Sequence, residues 1–258
     1  MIFKQLIPAP IRHLKYPAQY YANELRNFFL SEKKPKDFKD IPIIINNFNR
    51  LTFLKELIES LEKRGYFNYY VIDNNSTYPP LLEYYKTLPA EKLFLLEDNL
   101  GHLSFLKSGI YKRFKNKFFV YTDSDILLPS ECPDDLLEKL YNVLVKYPYT
   151  SKAGCALQID DLPDCFAQKD HVIEWESRFW KKRIGDDLYN APIDTTFALH
   201  KPNTKVGIWN IGDNIRVGGN YQCKHQPWYI DSSNCSAEEK YYQQTSVQAT
   251  MWTKRARR

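Results

Sequence analysis

Nowhere in the 258 residues is there an uninterrupted apolar run of membrane-spanning length, and the opening MIFKQLIPAP lacks the long apolar region and small-residue cleavage site of a secretory signal. Cytoplasmic residence is the resulting expectation. Glycine is scarce at 9 residues, which argues against low-complexity architecture, and cysteine is limited to five (Cys132, Cys155, Cys165, Cys223, Cys235), an odd number without C-x-x-C spacing. Neither a zinc knuckle nor a full disulfide framework is indicated, so these read as reduced thiols. No G-x-G-x-x-G and no G-x-x-x-x-G-K-[ST] occurs anywhere, which disfavours a dinucleotide-dependent dehydrogenase and a P-loop enzyme. What is abundant is core material, with 43% hydrophobic and 15% aromatic residues. The expected product is one globular α/β domain, or two small ones.

The formal charge of +5 is unevenly distributed: residues 1–40 hold eight Lys or Arg against four acids, and the chain closes on Lys254, Arg255, Arg257 and Arg258. Solvated ends explain this most simply, and peripheral contact with an anionic membrane face is the next reading. Nucleic acid is not expected as a partner, because Pro8, Pro10 and Pro17 break any long basic helix and no nucleic-acid motif is present. A short amphipathic helix over 18–30 and a charged linker over 31–40 complete this basic extension.

From residue 41 the pattern alternates. IPIIIN (41–46) is a continuous β-branched run suited to a strand buried on both faces. Leu54, Leu57, Ile58 and Leu61 recur at helical spacing, with Gly65 as a C-cap. YYVID (69–73) is a second strand followed by a helix over 81–88, KLFLLE (92–97) a third strand followed by a helix over 103–114, and FFVYTD the fourth. Such alternation predicts a doubly wound, mostly parallel sheet whose ligand site lies beyond the carboxyl ends of the strands. Residues 46–50, 73–76, 98–102 and 123–125 are the polar loops that follow the four strands, and they would converge on one edge.

The last of these loops carries the chemistry. In a strand, Asp123 and Asp125 would point the same way, and two carboxylates sharing one volume repel unless a cation such as magnesium or manganese compensates. A polar turn ending the strand is the plainer alternative for so short a motif. An acidic residue after the second strand, for a polar ring or ribose, and a metal after the fourth, for a diphosphate, together make a nucleotide-type site.

IPIIINNFNR, VIDNNST, DNLGH and FVYTDSD, in that order and spacing, resemble the N-terminal half of a GT-A (Rossmann-like) glycosyltransferase, most similar to glycosyltransferase family 2. The resemblance spans 41–130 and implies a nucleotide-diphosphate sugar donor, UDP-linked by the family's habits. It implies that Asp73 contacts the nucleobase or ribose, that Asn46, Asn47 and Arg50 line the donor pocket with Asn99, Gly101 and Ser124, and that Asp123 lies near ribose and metal. Asp125 would be the principal metal ligand. KHQPWY resembles the closing loop of related enzymes, which makes His225 a further ligand beside a Gly218–Gly219 hinge.

An inverting transfer needs a base for the acceptor hydroxyl. Asp194 is preferred because PIDTTFALH resembles the stretch that follows the acceptor helix in some family 2 relatives, with Asp160 or Asp161 as alternatives, and Asp194 capping a strand start is the structural reading of the same residue. Trp175, Phe179 and Trp180 serve either core packing or sugar stacking. The expected organisation is a basic extension (1–40), a GT-A domain (41–235, with nucleotide-sugar and acceptor halves dividing at 130) and a basic tail (236–258). The expected activity is metal-dependent transfer to a glycan or lipid-linked acceptor in surface polysaccharide or glycoconjugate synthesis. A non-catalytic sugar-nucleotide or glycan-binding module on the same fold is the alternative.

Overall fold

A computed structural model describes residues 34–148, 150–204 and 214–246. The helix expected over 18–30 and the basic residues 254–258 lie outside the described residues. The first strand, β1 (Ile43–Asn47), runs into helix α1 (Thr52–Glu62), then β2 (Tyr69–Asp73), α2 (Pro79–Tyr85), β3 (Leu93–Leu95), the short helices α3 (Ser104–Lys107) and α4 (Tyr111–Phe114), and β4 (Phe119–Asp123). After β5 (Ile126–Leu127) come α5 (Leu136–Lys146), β6 (Lys152–Cys155), α6 (Lys169–Ser177), β7 (Arg183–Gly185), β8 (Leu188–Asn190), β9 (Ala198–His200), β10 (Asn214–Val217), β11 (Lys224–His225) and α7 (Ala237–Thr245).

Nine strands form one sheet in the order β3-β2-β1-β4-β9-β6-β10-β8-β7. β1 pairs in parallel with both β2 and β4, and β2 with β3, as the βα alternation predicts. The second half departs from that pattern. β9 inserts antiparallel between β4 and β6, and β8 runs antiparallel to β10, so the sheet is mixed while most of its strands still point one way.

Side-chain alternation explains why the first three residues of β1, Ile43 to Ile45, are all apolar. Ile43 and Ile45 face a core built with Leu54, Leu57 and Leu61 of α1 and Leu137 and Leu140 of α5, whereas Ile44 faces the opposite core with Phe105 and Phe114. Helices therefore cover both faces. The spacing of α1 is met in full: its four periodic residues are buried, each contributing about 1.5–3 kcal/mol. Gly65 takes φ +77° just past the helix, where Tyr66 N–H bonds back to the Leu61 carbonyl at 3.0 Å.

The single helix expected over 103–114 is broken in two. Gly109 adopts φ +80°, a conformation helices do not hold, so the helix is interrupted there, and Phe105 of α3 and Phe114 of α4 enter the same core cluster as Ile44. α5 starts at Leu136, just after Pro133, and β6 ends at Cys155, beyond which Leu157 makes only an isolated bridge to Cys223. No described helix is long and apolar enough to cross a membrane.

Candidate functional site

The registers of β1 with its neighbours set Asn46 opposite Asp123 and Asn47 opposite Asp73, so three strand ends open on one rim. A cavity of about 720 Å³ lies there. Asn46 is the knot of its floor. Its Nδ2 donates to Asp123 Oδ1 at 2.9 Å, and its Oδ1 accepts from Ser104 Oγ at 2.7 Å and from Asn74 Nδ2. Asn74 in turn donates to the Gly101 carbonyl at 3.3 Å and accepts from Leu100 N–H at 3.2 Å. The loops after all four strands are thus tied by one hydrogen-bonded network, and Asn46, Asn74, Asn99, Gly101, Asp123, Ser124 and Asp125 line the cavity as it forms.

Asp73 and Asn47 do not reach it. Asp73 is buried, its Oδ2 accepting from Ser76 N–H at 2.8 Å and its Oδ1 from the Tyr85 hydroxyl at 2.8 Å. Asn47, also buried, donates to the same hydroxyl at 2.8 Å and accepts from Ser124 Oγ at 2.6 Å. Both oxygens of Asp73 are spent on shaping the loop, so the residue that faces the cavity after β2 is Asn74, one position on. The NNS turn contained it, but asparagine in a turn has too many structural uses to stand out.

The two aspartates of the D-x-D also differ from the strand picture. β4 ends at Asp123 and the following residues form a turn, so alternation no longer orients Asp125. Asp123 accepts from Asn46 and from Thr195 Oγ1, and its own N–H donates to the Thr195 carbonyl at 2.8 Å. Burial, then the charge of Asp125, push the Asp123 carboxyl up to about 8, against the pull of those hydrogen bonds. Asp125 pairs elsewhere. β11 lies antiparallel to β5, with His225 opposite Ile126 and Gln226 N–H donating to the Asp125 carbonyl at 2.8 Å, so the histidine is brought in from a hundred residues away. His225 Nε2 comes 3.5 Å from Asp125 Oδ2. Burial pushes the imidazole pKa down more than Asp125 raises it, leaving the ring neutral with a lone pair to give.

Among the described residues, no group of three or more His, Cys, Asp or Glu side chains is arranged to hold a metal ion, so the expected trio of Asp123, Asp125 and His225 is not a preformed cage. The donor set still fits a hard cation of the magnesium or manganese kind. One carboxylate and one neutral imidazole nitrogen face each other at the cavity wall, and such ions commonly take one or two protein ligands and complete their shell with water and phosphate oxygens.

Asp194 lies exposed on the cavity wall in a loop held from behind. Arg216 Nε donates to the Pro192 carbonyl at 2.8 Å, Lys152 Nζ to the Ile193 carbonyl at 2.6 Å, and the Thr195 carbonyl accepts from Asp123. Burial pushes the Lys152 ammonium down to about 8, with the charge of Asp194 pulling it up. Arg216 is itself fixed by a buried ion pair with Glu176 at 2.7 Å. Asp161 has no such place. It lies outside the cavity, bound to Lys224 Nζ and the Tyr229 hydroxyl, each at 2.5 Å. Partial burial raises its pKa, but those bonds outweigh it and the carboxyl is held low, which is unsuited to a base.

Of the three aromatics, Trp175 and Phe179 reach the cavity while Trp180 packs on Tyr189, ring centroids 4.9 Å apart. Gly218 is not a free hinge either: a Cβ there would lie 3.0 Å from the Trp180 ring, so its role is close packing. Arg50 lines the cavity in the grip of Glu239 from α7, a residue of the segment that was expected to be a basic tail. The signal was present: Ser236 and Glu239 form the S-x-x-E pattern that opens a helix, and Ser236 Oγ accepts from Glu239 N–H at 3.1 Å.

A family model described as "Glycosyl transferase family 2" matches residues 43–199, more than half of the chain. Among solved structures, "GalNAc-T7 with UDP, GalNAc and Mn2+" aligns at 13% identity with a TM-score of 0.47, covering 84% of this chain and 49% of that one. S. aureus TarS, residues 1–349, aligns at 18% identity with a TM-score of 0.34, covering 49% of this chain and 39% of that one. This chain therefore spans less than half the length of either. No curated protein matches it.

Proposed function

Because the chain belongs to glycosyl transferase family 2, we propose that the cavity binds a nucleotide-diphosphate sugar, UDP-linked in the first instance, and transfers the sugar to a hydroxyl of a glycan or lipid-linked acceptor. Surface polysaccharide or glycoconjugate synthesis is the setting such a reaction serves. The observation that carries this reading is the facing pair of Asp125 and His225 on a cavity into which the loops after the first four strands open. Fold alone would not license an activity, since one fold hosts many.

Asp125 and His225 would hold the divalent cation, which when bound supplies neutralisation of the departing diphosphate. Asp123, oriented by Asn46 and Thr195, would face the donor's ribose side. Asp194 accepts the proton of the acceptor hydroxyl. The acceptor oxygen then forms its bond to the anomeric carbon as the bond from that carbon to the diphosphate breaks, the electron pair leaving with the phosphate, and the configuration inverts. Trp175 and Phe179 supply an apolar wall on the acceptor side.

Donor hydrolysis tests this directly. In the presence of Mn2+, at least one of a panel of UDP, GDP, CDP and dTDP sugars should be turned over slowly to the nucleoside diphosphate, and chelation should stop it. A non-catalytic module would bind a donor without consuming it. His225→Gln is expected to weaken the apparent Mn2+ affinity of that hydrolysis by about 10–100-fold, the range seen even when groups that merely support a metal ligand are lost. An unchanged Mn2+ titration would remove His225 from the site.

Lys152 acts through the loop that it holds. Lys152→Met should lower kcat about tenfold with donor KM little changed, because a small displacement of a reacting group is costly. Its ammonium form prevails below about pH 8, so wild-type kcat should decline on the alkaline side of that value, and the variant should lack that limb.

A further inference from the structure

Helix α7 lies across the loop between β1 and α1 and walls the cavity with Glu239, Tyr242 and Gln243. It falls beyond residues 43–199, so the family core does not account for it. Several anchors hold it there. The Glu238 carboxylate accepts from the N–H groups of Leu51 at 2.9 Å and Thr52 at 3.0 Å and from Thr52 Oγ1 at 2.8 Å, filling the N-terminus of α1, where unpaired N–H groups and the helix dipole favour an anion. Asn49 Nδ2 donates to Thr245 Oγ1 at 2.9 Å, and the Tyr241 hydroxyl to the Thr77 carbonyl at 2.9 Å. Glu239 forms the buried ion pair with Arg50.

The state of Arg50 follows from this clamp. Its side chain is 7% exposed, and the guanidinium sits 3.6 Å from the centroid of the Tyr242 ring and 5.0 Å from that of Phe53. Among the described residues, its Nε is buried without a hydrogen-bond partner. An unmatched buried N–H costs free energy until an acceptor reaches it. Because Glu239 already balances the positive charge, Arg50 offers directed N–H donors rather than net charge. Such a group suits a neutral oxygen better than a phosphate.

We propose that α7 completes the donor site, with Glu239 and Tyr242 fixing Arg50 as the guanidinium that reads a neutral oxygen of the nucleoside, either a base carbonyl or a ribose hydroxyl. Residues outside the family core then position the one inside it, Arg50, that distinguishes nucleosides. This rests on the reading of the cavity as a nucleotide-diphosphate sugar site.

The test is calorimetric titration of UDP, CDP, GDP and dUDP, with Mn2+, into the wild type, Glu239→Gln and the double variant Arg50→Met/Glu239→Met. The double variant exchanges a buried ion pair for an apolar one and leaves no lone charge, so it is expected to fold, with circular dichroism and the melting temperature as checks. Glu239→Gln should weaken the preferred nucleotide about tenfold. The double variant should bind all four within about threefold of one another. A wild-type preference among the three bases assigns the oxygen to the nucleobase, and a preference for UDP over dUDP assigns it to the ribose. Unchanged affinity and ranking in either variant overturns this inference alone, whereas a wild type that binds none of the four overturns the donor-site reading with it.

Discussion

Replacing Asp194 with asparagine is expected to lower kcat for sugar transfer by about 10²–10⁴-fold, the range a positioned general base supplies, while nucleotide affinity stays within about twofold. Asparagine keeps the volume and the loop but cannot take a proton. The loop's hydrogen bonds run through the backbone carbonyls of Pro192, Ile193 and Thr195, so the substitution leaves them intact and the loss reports the carboxylate itself. Asp161→Asn is the matched control. With that carboxylate outside the cavity and bound to Lys224 and Tyr229, kcat should be nearly unchanged. Transfer rates and calorimetric nucleotide affinities on the same preparations check both. Wild-type turnover in Asp194→Asn would take the base role away from this residue, and a collapse in Asp161→Asn would reassign it.

Asp125→Ala should abolish metal-dependent donor turnover, with a loss of about 10³-fold, in line with removing a main electrostatic stabiliser of a leaving group. Its effect and that of His225→Gln should not add. The two donors face each other at 3.5 Å, and if they hold one ion, the double variant Asp125→Ala/His225→Gln should be no worse than Asp125→Ala alone. Additive losses in donor hydrolysis rates would mean that the two residues act independently and that no shared cation bridges them.

The first half of the fold was legible because its signals are local. Ile43 to Ile45 form a strand buried on both faces, Leu54 to Leu61 form a helix stripe, and the polar loops follow each strand end, all within stretches where periodicity decides the structure. The second half depends on pairings between distant segments. Nothing in ALH announces that β9 would enter antiparallel beside β4, since three residues carry too little pattern. The site divides along the same line. The rim was predictable from the βα order, yet which residue of each loop faces the cavity depended on side-chain choices: Tyr85 took Asp73 inward, and Asn74 turned to Asn46. Arg50 and Glu239 are separated by 189 residues, so their pairing is invisible to any local window, although the capping pattern that begins α7 was not.

Titration of UDP, GDP, CDP and dTDP into the wild type and Asp125→Ala, with Mn2+ and then with a chelator in its place, tests the cation-dependent donor site most directly. At least one nucleotide should bind the wild type only with Mn2+, and should fail to bind Asp125→Ala under the same conditions. Binding of equal strength without the metal or without Asp125, or no binding of any nucleotide to the wild type, would contradict it.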